Sequence, residues 1–345
     1  MKRIGIVTIT KNPNYGNALQ MLAMQRALEK TGAEAETIIN YDGSTLFNIK
    51  NTARYYLRSF KNTNIISAEK KRRRFLRYLK AHVSFSKAFF FKGQLHRFNA
   101  DDYDCYIVGS DQVWNPFFGL ATELEMLGFA PKHKRIAYAA SFGVSSLSGL
   151  DADRLGRISE SIKGFRAVSL REKAGIEIVK DISGVEAELC LDPTMLMSAE
   201  EWDSILERPR QKLPKRYIAV YMLGNITAEY EAELAELARE YEAEVINLMS
   251  DSFIFLNPSE FVWIIKNALF VCTDSFHASV FSIIYHRPFK IFTRIDTHKD
   301  QNSRFETLLE MCAITDTAAA DWALVERQIA AAREKSMAFL KNAMS

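Results

Sequence analysis

The stretch VCTDSFHASV, residues 271–280, places Asp274, Ser275 and His277 where a buried strand gives way to a helix. Unpaired N–H groups and the helix dipole make a helix N-terminus attractive to anions, so a phosphate or carboxylate bound there would lie beside His277. An imidazole so placed can give or take a proton near neutral pH. The plainer reading is a cap at Asp274 or Ser275 with His277 packed under the sheet edge.

Three further clusters suit the same chemistry. AVSLREKAG puts Arg171 and Glu172 at a strand end, where a guanidinium can take a carboxylate or phosphate bidentately or form a surface ion pair. NSRFETLLE opens a helix with Arg304, soon after a polar loop carrying Arg294, His298 and Lys299, and such a group of cations points to an anionic ligand. GSDQVWNP offers Gly109 for close backbone approach, Ser110 and Asp111 as polar groups, and Trp114 as a flat face for a sugar or else a core residue. The loop NPNYGNALQ, with Gly16 and Asn17, has one glycine and no P-loop lysine, so it gives no support for ATP. HExxH, GxSxG, a full GxGxxG and metal-ligand clusters are all missing, so neither a metal nor a cofactor is expected.

The elements that must position these residues follow from hydrophobic periodicity. IGIVTI, a helical LQMLAMQRALEKTG and AETIIN form a strand, helix, strand unit, which feeds a parallel sheet with ligands at the carboxyl ends of its strands. DDYDCYIVG, KRIAYAA and AVSLRE continue that sheet, and YIAVYML, EVINLM, LFVCT and PFKIFT alternate with helices to make a second doubly wound unit. The expected fold is therefore α/β, with one Rossmann-like domain over residues 1–195 and another over 196–345. The interdomain link is expected near residues 193–214, and the Ala-rich helix from Trp322 to Met344 is expected to pack across both domains.

Bulk properties fit this layout. A chain of 345 residues exceeds what one core ordinarily supports, and 48% hydrophobic with 25% charged residues is globular rather than disordered. Cys105, Cys190, Cys272 and Cys312 are too scattered for a zinc site or disulfide framework and read as buried thiols. The N-terminus turns polar at Lys11, and no apolar run long enough for a bilayer follows, so a cytoplasmic protein is expected. Net charge is +3, yet residues 50–99 carry about fourteen Lys/Arg against the single acid Glu69. This basic, aromatic segment reads as a helical insert spanning about 45–100. It suits an anionic membrane surface or a lipid diphosphate, or it is a solvated face whose aromatics pack on the first domain. Nucleic acid is not expected, because no recognition module accompanies the charge.

In order, NPNYGNALQ, YIVGSDQVWNP, AYAASFG, AVSLREKAG, LDPTML and CTDSFHASVFSIIYHRPF resemble the polysaccharide pyruvyl transferase family, over residues 1 to about 310. The resemblance implies a fold similar to GT-B glycosyltransferases, phosphoenolpyruvate as donor and a sugar as acceptor; the basic segment adds the expectation of a lipid-linked capsule or exopolysaccharide unit whose diphosphate it would hold near the membrane. The resemblance also implies donor contacts from Arg171 and from an Arg-Leu-His triplet whose His corresponds to His277. Here the triplet reads Ser275-Phe276-His277, so the family arginine is absent. Arg304, helped by Lys299 or Arg294, is expected to supply its charge. On this reading His277 protonates the donor's methylene carbon, and Asp111 or Asp274 takes a hydroxyl proton or orients His277. Two alternatives remain at this level: a nucleotide-sugar glycosyltransferase on the same architecture, and a catalytically silent scaffold of a polysaccharide assembly complex.

Overall fold

The computed structural model describes residues 1–10, 14–42, 63–253, 255–294 and 302–345. They form two sheets. The first runs β1 (Arg3–Val7), β2 (Glu34–Asn40), β3 (Phe85–Phe91), β4 (Gln94–His96), β5 (Cys105–Val108), β6 (Arg135–Ala140), β7 (Ala167–Leu170) and β8 (Glu188–Leu189) along the chain. In space the order is β4-β3-β2-β1-β5-β6-β7-β8, parallel throughout except for the antiparallel pair β3 and β4. The second sheet holds β9 (Tyr217–Tyr221), β10 (Glu244–Asn247), β11 (Phe270–Thr273) and β12 (Phe289–Ile291) in the parallel order β10-β9-β11-β12.

Both sheets are read from unbroken apolar runs. Every residue of CYIV in β5 and YIAVY in β9 is buried, as strands covered by helices on both faces require. Those covers include α1 (Tyr15–Glu29), α2 (Thr63–His82), α3 (Ala152–Ile162) and α4 (Lys173–Ser183) beside the first sheet. The short α5 (Ala199–Asp203) lies in the link, fixed by a reciprocal cap between Ser198 and Glu201. Beside the second sheet come α6 (Ala228–Glu240), α7 (Pro258–Asn267), α8 (Phe276–Ile284) and α9 (Ser303–Met311).

The closing helix α10 (Trp322–Met344) belongs to neither unit alone. Its first residue, Trp322, stacks on His286 at 5.1 Å. Further on, Ser336 Oγ accepts from Leu191 N at 3.0 Å and Phe339 meets Tyr138 at 6.1 Å, both in the first unit. The two units share one continuous apolar core, in which Leu19 of α1, Phe261 of α7 and Leu340 of α10 all take part.

The basic segment departs from a purely helical insert. Its first described part is α2, whose Phe75, Tyr78 and Leu79 are buried, with Phe75 5.1 Å from Tyr15. Its second part, FSKAFFF and QLH, forms β3 and β4 and extends the first sheet. Consecutive aromatics favour a pleated, half-buried surface over a helix, which accounts for the difference. Positions 45–62 of the expected insert lie outside the described residues. Among those described, no helix is long and apolar enough to cross a membrane. All four cysteines are buried, and burial pushes the thiols of Cys105 and Cys190 to about 11 and those of Cys272 and Cys312 to about 12.

Candidate active site

In a doubly wound sheet the strand order reverses at a switch point, and the carboxyl ends of the flanking strands open a crevice there. Reversal falls between β1 and β5 in the first sheet and between β9 and β11 in the second. Residues after all four strands, Ile9, Asp111, Leu223 and Ser275, line one cavity of about 470 Å³. Asn14 and Asn17 at the start of α1, Gln112 after β5, His277 of α8, Arg294 after β12 and Arg304 of α9 add to its polar lining.

Behind the cavity wall lies a buried ionic chain. Arg171, following β7, donates from Nη1 to Asp192 Oδ2 at 2.9 Å and from Nη2 to Asp111 Oδ1 at 3.0 Å. Its guanidinium lies 4.3 Å from the centroid of the Phe276 ring. Burial opposes its charge, but Asp111, Asp192 and Glu172 outweigh that effect and hold its pKa above the ordinary value. Asp192 is equally enclosed. Its Oδ1 accepts from Thr194 N at 3.1 Å and Oγ1 at 2.7 Å, and its Oδ2 also accepts from Ser110 Oγ at 2.9 Å. Burial alone would raise its pKa, yet His277, Arg171 and Thr194 pull it far below the usual carboxylate range.

His277 completes the chain. Its Nε2 stands 3.7 Å from Asp192 Oδ2 and has no hydrogen-bond partner among the described residues. The other ring nitrogen faces Gly16, where an added Cβ would sit 2.1 Å from Nδ1. Glycine at 16 is therefore what lets α1 pass so close to the imidazole.

Several residues chosen from sequence stand elsewhere than their assigned roles require. Arg171 has a side chain only 1% exposed and does not line the cavity, so it braces two carboxylates rather than meeting a ligand. Trp114 is fully buried against Phe142 and Phe165, with Nε1 donating to Glu125 O at 3.1 Å, so it cannot offer a sugar its face. Ser110 is also fully buried and is committed to Ala139 O and Asp192. Asp274 spends both oxygens on the backbone, accepting from Leu223 N and Gly224 N at 2.8 Å each, and its Oδ2 also pairs with Arg294 at 3.1 Å. It fixes the loop after β9 and is not placed to serve as an acid or base. Neither Asp274 nor Ser275 caps α8 through its side chain. Asn17, Asp111, Ser275, His277 and Arg304 do line the cavity, and Gly16 packs behind it. Lys299 lies outside the described residues.

The profile of the polysaccharide pyruvyl transferase family matches residues 14–294, a span that includes every residue of this chain of contacts. The protein belongs to that family. No curated protein matches the sequence. Solved structures similar to this pyruvyl transferase family member include the UDP-GlcNAc 2-epimerase of Methanocaldococcus jannaschii, 12% identical, with 96% of this chain and 92% of that one covered and a TM-score of 0.46. Another is MnaA of S. aureus in a structure with UDP, 10% identical, 95% of each chain covered, TM-score 0.47. The glycosyltransferase VinC in complex with dTDP is 14% identical, with 97% and 94% covered and a TM-score of 0.37.

Asp192 and Gln20, which support the site from behind, were not singled out in the sequence, nor were the cavity-lining Phe118, Leu120 and Leu223. Asp192 stands in the family block LDPTML, where Pro193 makes it look like an ordinary break between elements. Gln20, facing inward from α1, accepts from Ser110 N at 3.1 Å and donates to Thr8 Oγ1 at 2.7 Å, fixing the loop after β5. A buried glutamine amid the apolar residues of α1 was the available signal.

Proposed function

We propose that this family member transfers the enolpyruvyl group of phosphoenolpyruvate to two hydroxyls of a sugar, forming a pyruvate ketal. The observation that carries the reading is His277, at the wall of a cavity that also holds Arg294 and Arg304, backed by a carboxylate kept ionised beneath it. The charged Asp192 lies 3.7 Å from His277 Nε2 and holds that side of the ring, and an imidazole beside a bound anion can act as a general acid.

In the proposed cycle, the donor's carboxylate and phosphate sit against Arg294 and Arg304, with Arg304 in place of the family arginine missing at Ser275. Burial and the nearby Arg171 bring the Arg304 pKa down to about 10, so the group is still charged at neutral pH and gains from an anion. His277 gives its proton to the methylene carbon, and the cation that forms at the central carbon is attacked by the first sugar hydroxyl, whose proton passes to Asp111. Asp111 is preferred to Asp274 because it lines the cavity. Phosphate departs with the C–O bonding electrons and takes the proton from Asp111. The second hydroxyl then attacks the same carbon and returns a proton to His277, which closes the ketal and resets both groups.

The acceptor is proposed to be a lipid-linked capsule or exopolysaccharide unit, met at the cytoplasmic face of the membrane. Support for that setting is the exposed cationic row Lys70, Arg73, Arg77 and Lys80 along α2, opposite its buried Phe75, Tyr78 and Leu79. Thermal shift separates the donors: phosphoenolpyruvate is expected to raise the Tm while UDP is not. A rise with UDP alone would replace this reading with nucleotide-sugar transfer.

A further inference from the structure

The cavity also has an apolar side. Phe118 and Leu223, 56% and 40% exposed, are among the few large apolar side chains open to solvent among the described residues, and both line this cavity together with Leu120 and Ile9. Scattered exposed apolar residues are ordinary, but two at the mouth of a polar cavity are a binding feature.

Phe118 is also held in place. It ends a 3-10 turn, Pro116–Phe118, in which Asn115 Oδ1 accepts from Phe117 N at 3.0 Å. Phe118 N donates to Asn115 O at 3.3 Å, and Gly119 leaves the turn at φ 69. Asn115 is itself fixed, donating from Nδ2 to Gln112 Oε1 at 2.8 Å, and the neighbouring Trp114 anchors the turn in the core. Leu223 is held by its backbone bond to Asp274. The ring is thus presented by a rigid support, and binding a ligand face would cost little ordering entropy.

We infer that Phe118 is the acceptor platform of this site, stacking against the C–H face of a pyranose ring whose hydroxyl edge points toward His277, with Leu223 as its apolar counterpart from the second unit. The inference rests on the proposed transfer to a sugar and names the residue that selects it. A pyranose has one face rich in axial C–H groups and an edge of hydroxyls, which matches an aromatic surface beside Asn17, Asp111 and His277.

The test uses the full-length protein and saturation-transfer NMR with methyl glycosides of glucose, galactose and mannose, alongside the phosphoenolpyruvate thermal shift. Wild type is expected to saturate the ring C–H protons of at least one glycoside. Phe118→Ala should weaken that binding about tenfold while leaving the phosphoenolpyruvate shift unchanged, and Phe118→Tyr should restore it. Because Phe118 is exposed, an unchanged Tm without ligand will show that the variants fold. Equal sugar binding by Phe118→Ala and wild type overturns the platform, as does wild type that binds phosphoenolpyruvate but none of the glycosides. Sugar binding that depends on Phe118, with no response to phosphoenolpyruvate, upholds the platform and overturns the donor instead.

Discussion

Asp192 Oδ2 lies 2.9 Å from Arg171 Nη1 and 3.7 Å from His277 Nε2, so one buried carboxylate faces a guanidinium of the first unit and an imidazole of the second. The two sheets therefore meet through a charge relationship as well as through their shared core. Removal of that carboxylate separates its electrostatic role from its volume. Asp192→Asn is expected to lower turnover by about 10²–10⁴-fold, the ordinary worth of a positioned general acid, with a smaller change in phosphoenolpyruvate affinity. Steady-state kinetics and a donor titration on the same variant measure both.

The same substitution alters the response to acid. Asp192 has a folded pKa far below its unfolded value of about 3.9, so its stabilisation is complete well above that pH, begins to be lost as pH falls below it, and is fully lost only at the much lower folded pKa. Thermal melts between pH 7 and pH 3 should show a steeper loss for wild type than for Asp192→Asn. At pH 7 the variant should be less stable by about 3–5 kcal/mol, because Arg171 loses a buried partner.

Gly16→Ala probes the closest backbone approach in the site. A methyl group 2.1 Å from His277 Nδ1 cannot be accommodated, and the imidazole must turn away from Asp192. Turnover should fall at least as far as in Asp192→Asn. Alanine suits the helix itself, but the overpacking against the buried ring should also lower stability by about 1–3 kcal/mol, measured in urea melts.

Arg304→Gln tests the replacement of the family arginine. Losing a charged contact to an anion costs about 1.5–3 kcal/mol, so phosphoenolpyruvate affinity should drop roughly 10- to 100-fold by calorimetry. Unchanged affinity would move the donor away from α9.

Trp114→Ala distinguishes core from platform. With the side chain fully buried, truncation should destabilise the protein by about 3–5 kcal/mol in urea melts.

The fold was largely legible in the sequence because buried parallel strands leave unbroken apolar runs such as YIVG and YIAVY, and these alternate with helical spacing. The exception, β3 and β4, sits in a segment whose charge drew attention away from the strand preference of FSKAFFF. That His277, Asp111, Asn17 and Arg304 would line one cavity was legible, since they follow strands or open helices at the switch points. Roles were less so. Arg171 and Ser110 looked like ligand contacts and Asp274 like a proton acceptor or an orienter of His277, since polar residues at strand ends usually face the crevice, whereas here their partners come from remote positions: Asp192 for the first two and the loop after β9 for the third. Trp114 and Phe118 lie four residues apart, and only the turn through Asn115 decides which enters the core and which reaches the cavity.

The central claim is that His277 supplies the proton for transfer from phosphoenolpyruvate. It is tested most directly by measuring phosphate release from phosphoenolpyruvate, in the presence of acceptor glycan, by wild type and His277→Gln. The account predicts a loss of about 10²–10⁴-fold in turnover with the phosphoenolpyruvate thermal shift retained. Turnover equal to wild type in His277→Gln would contradict it.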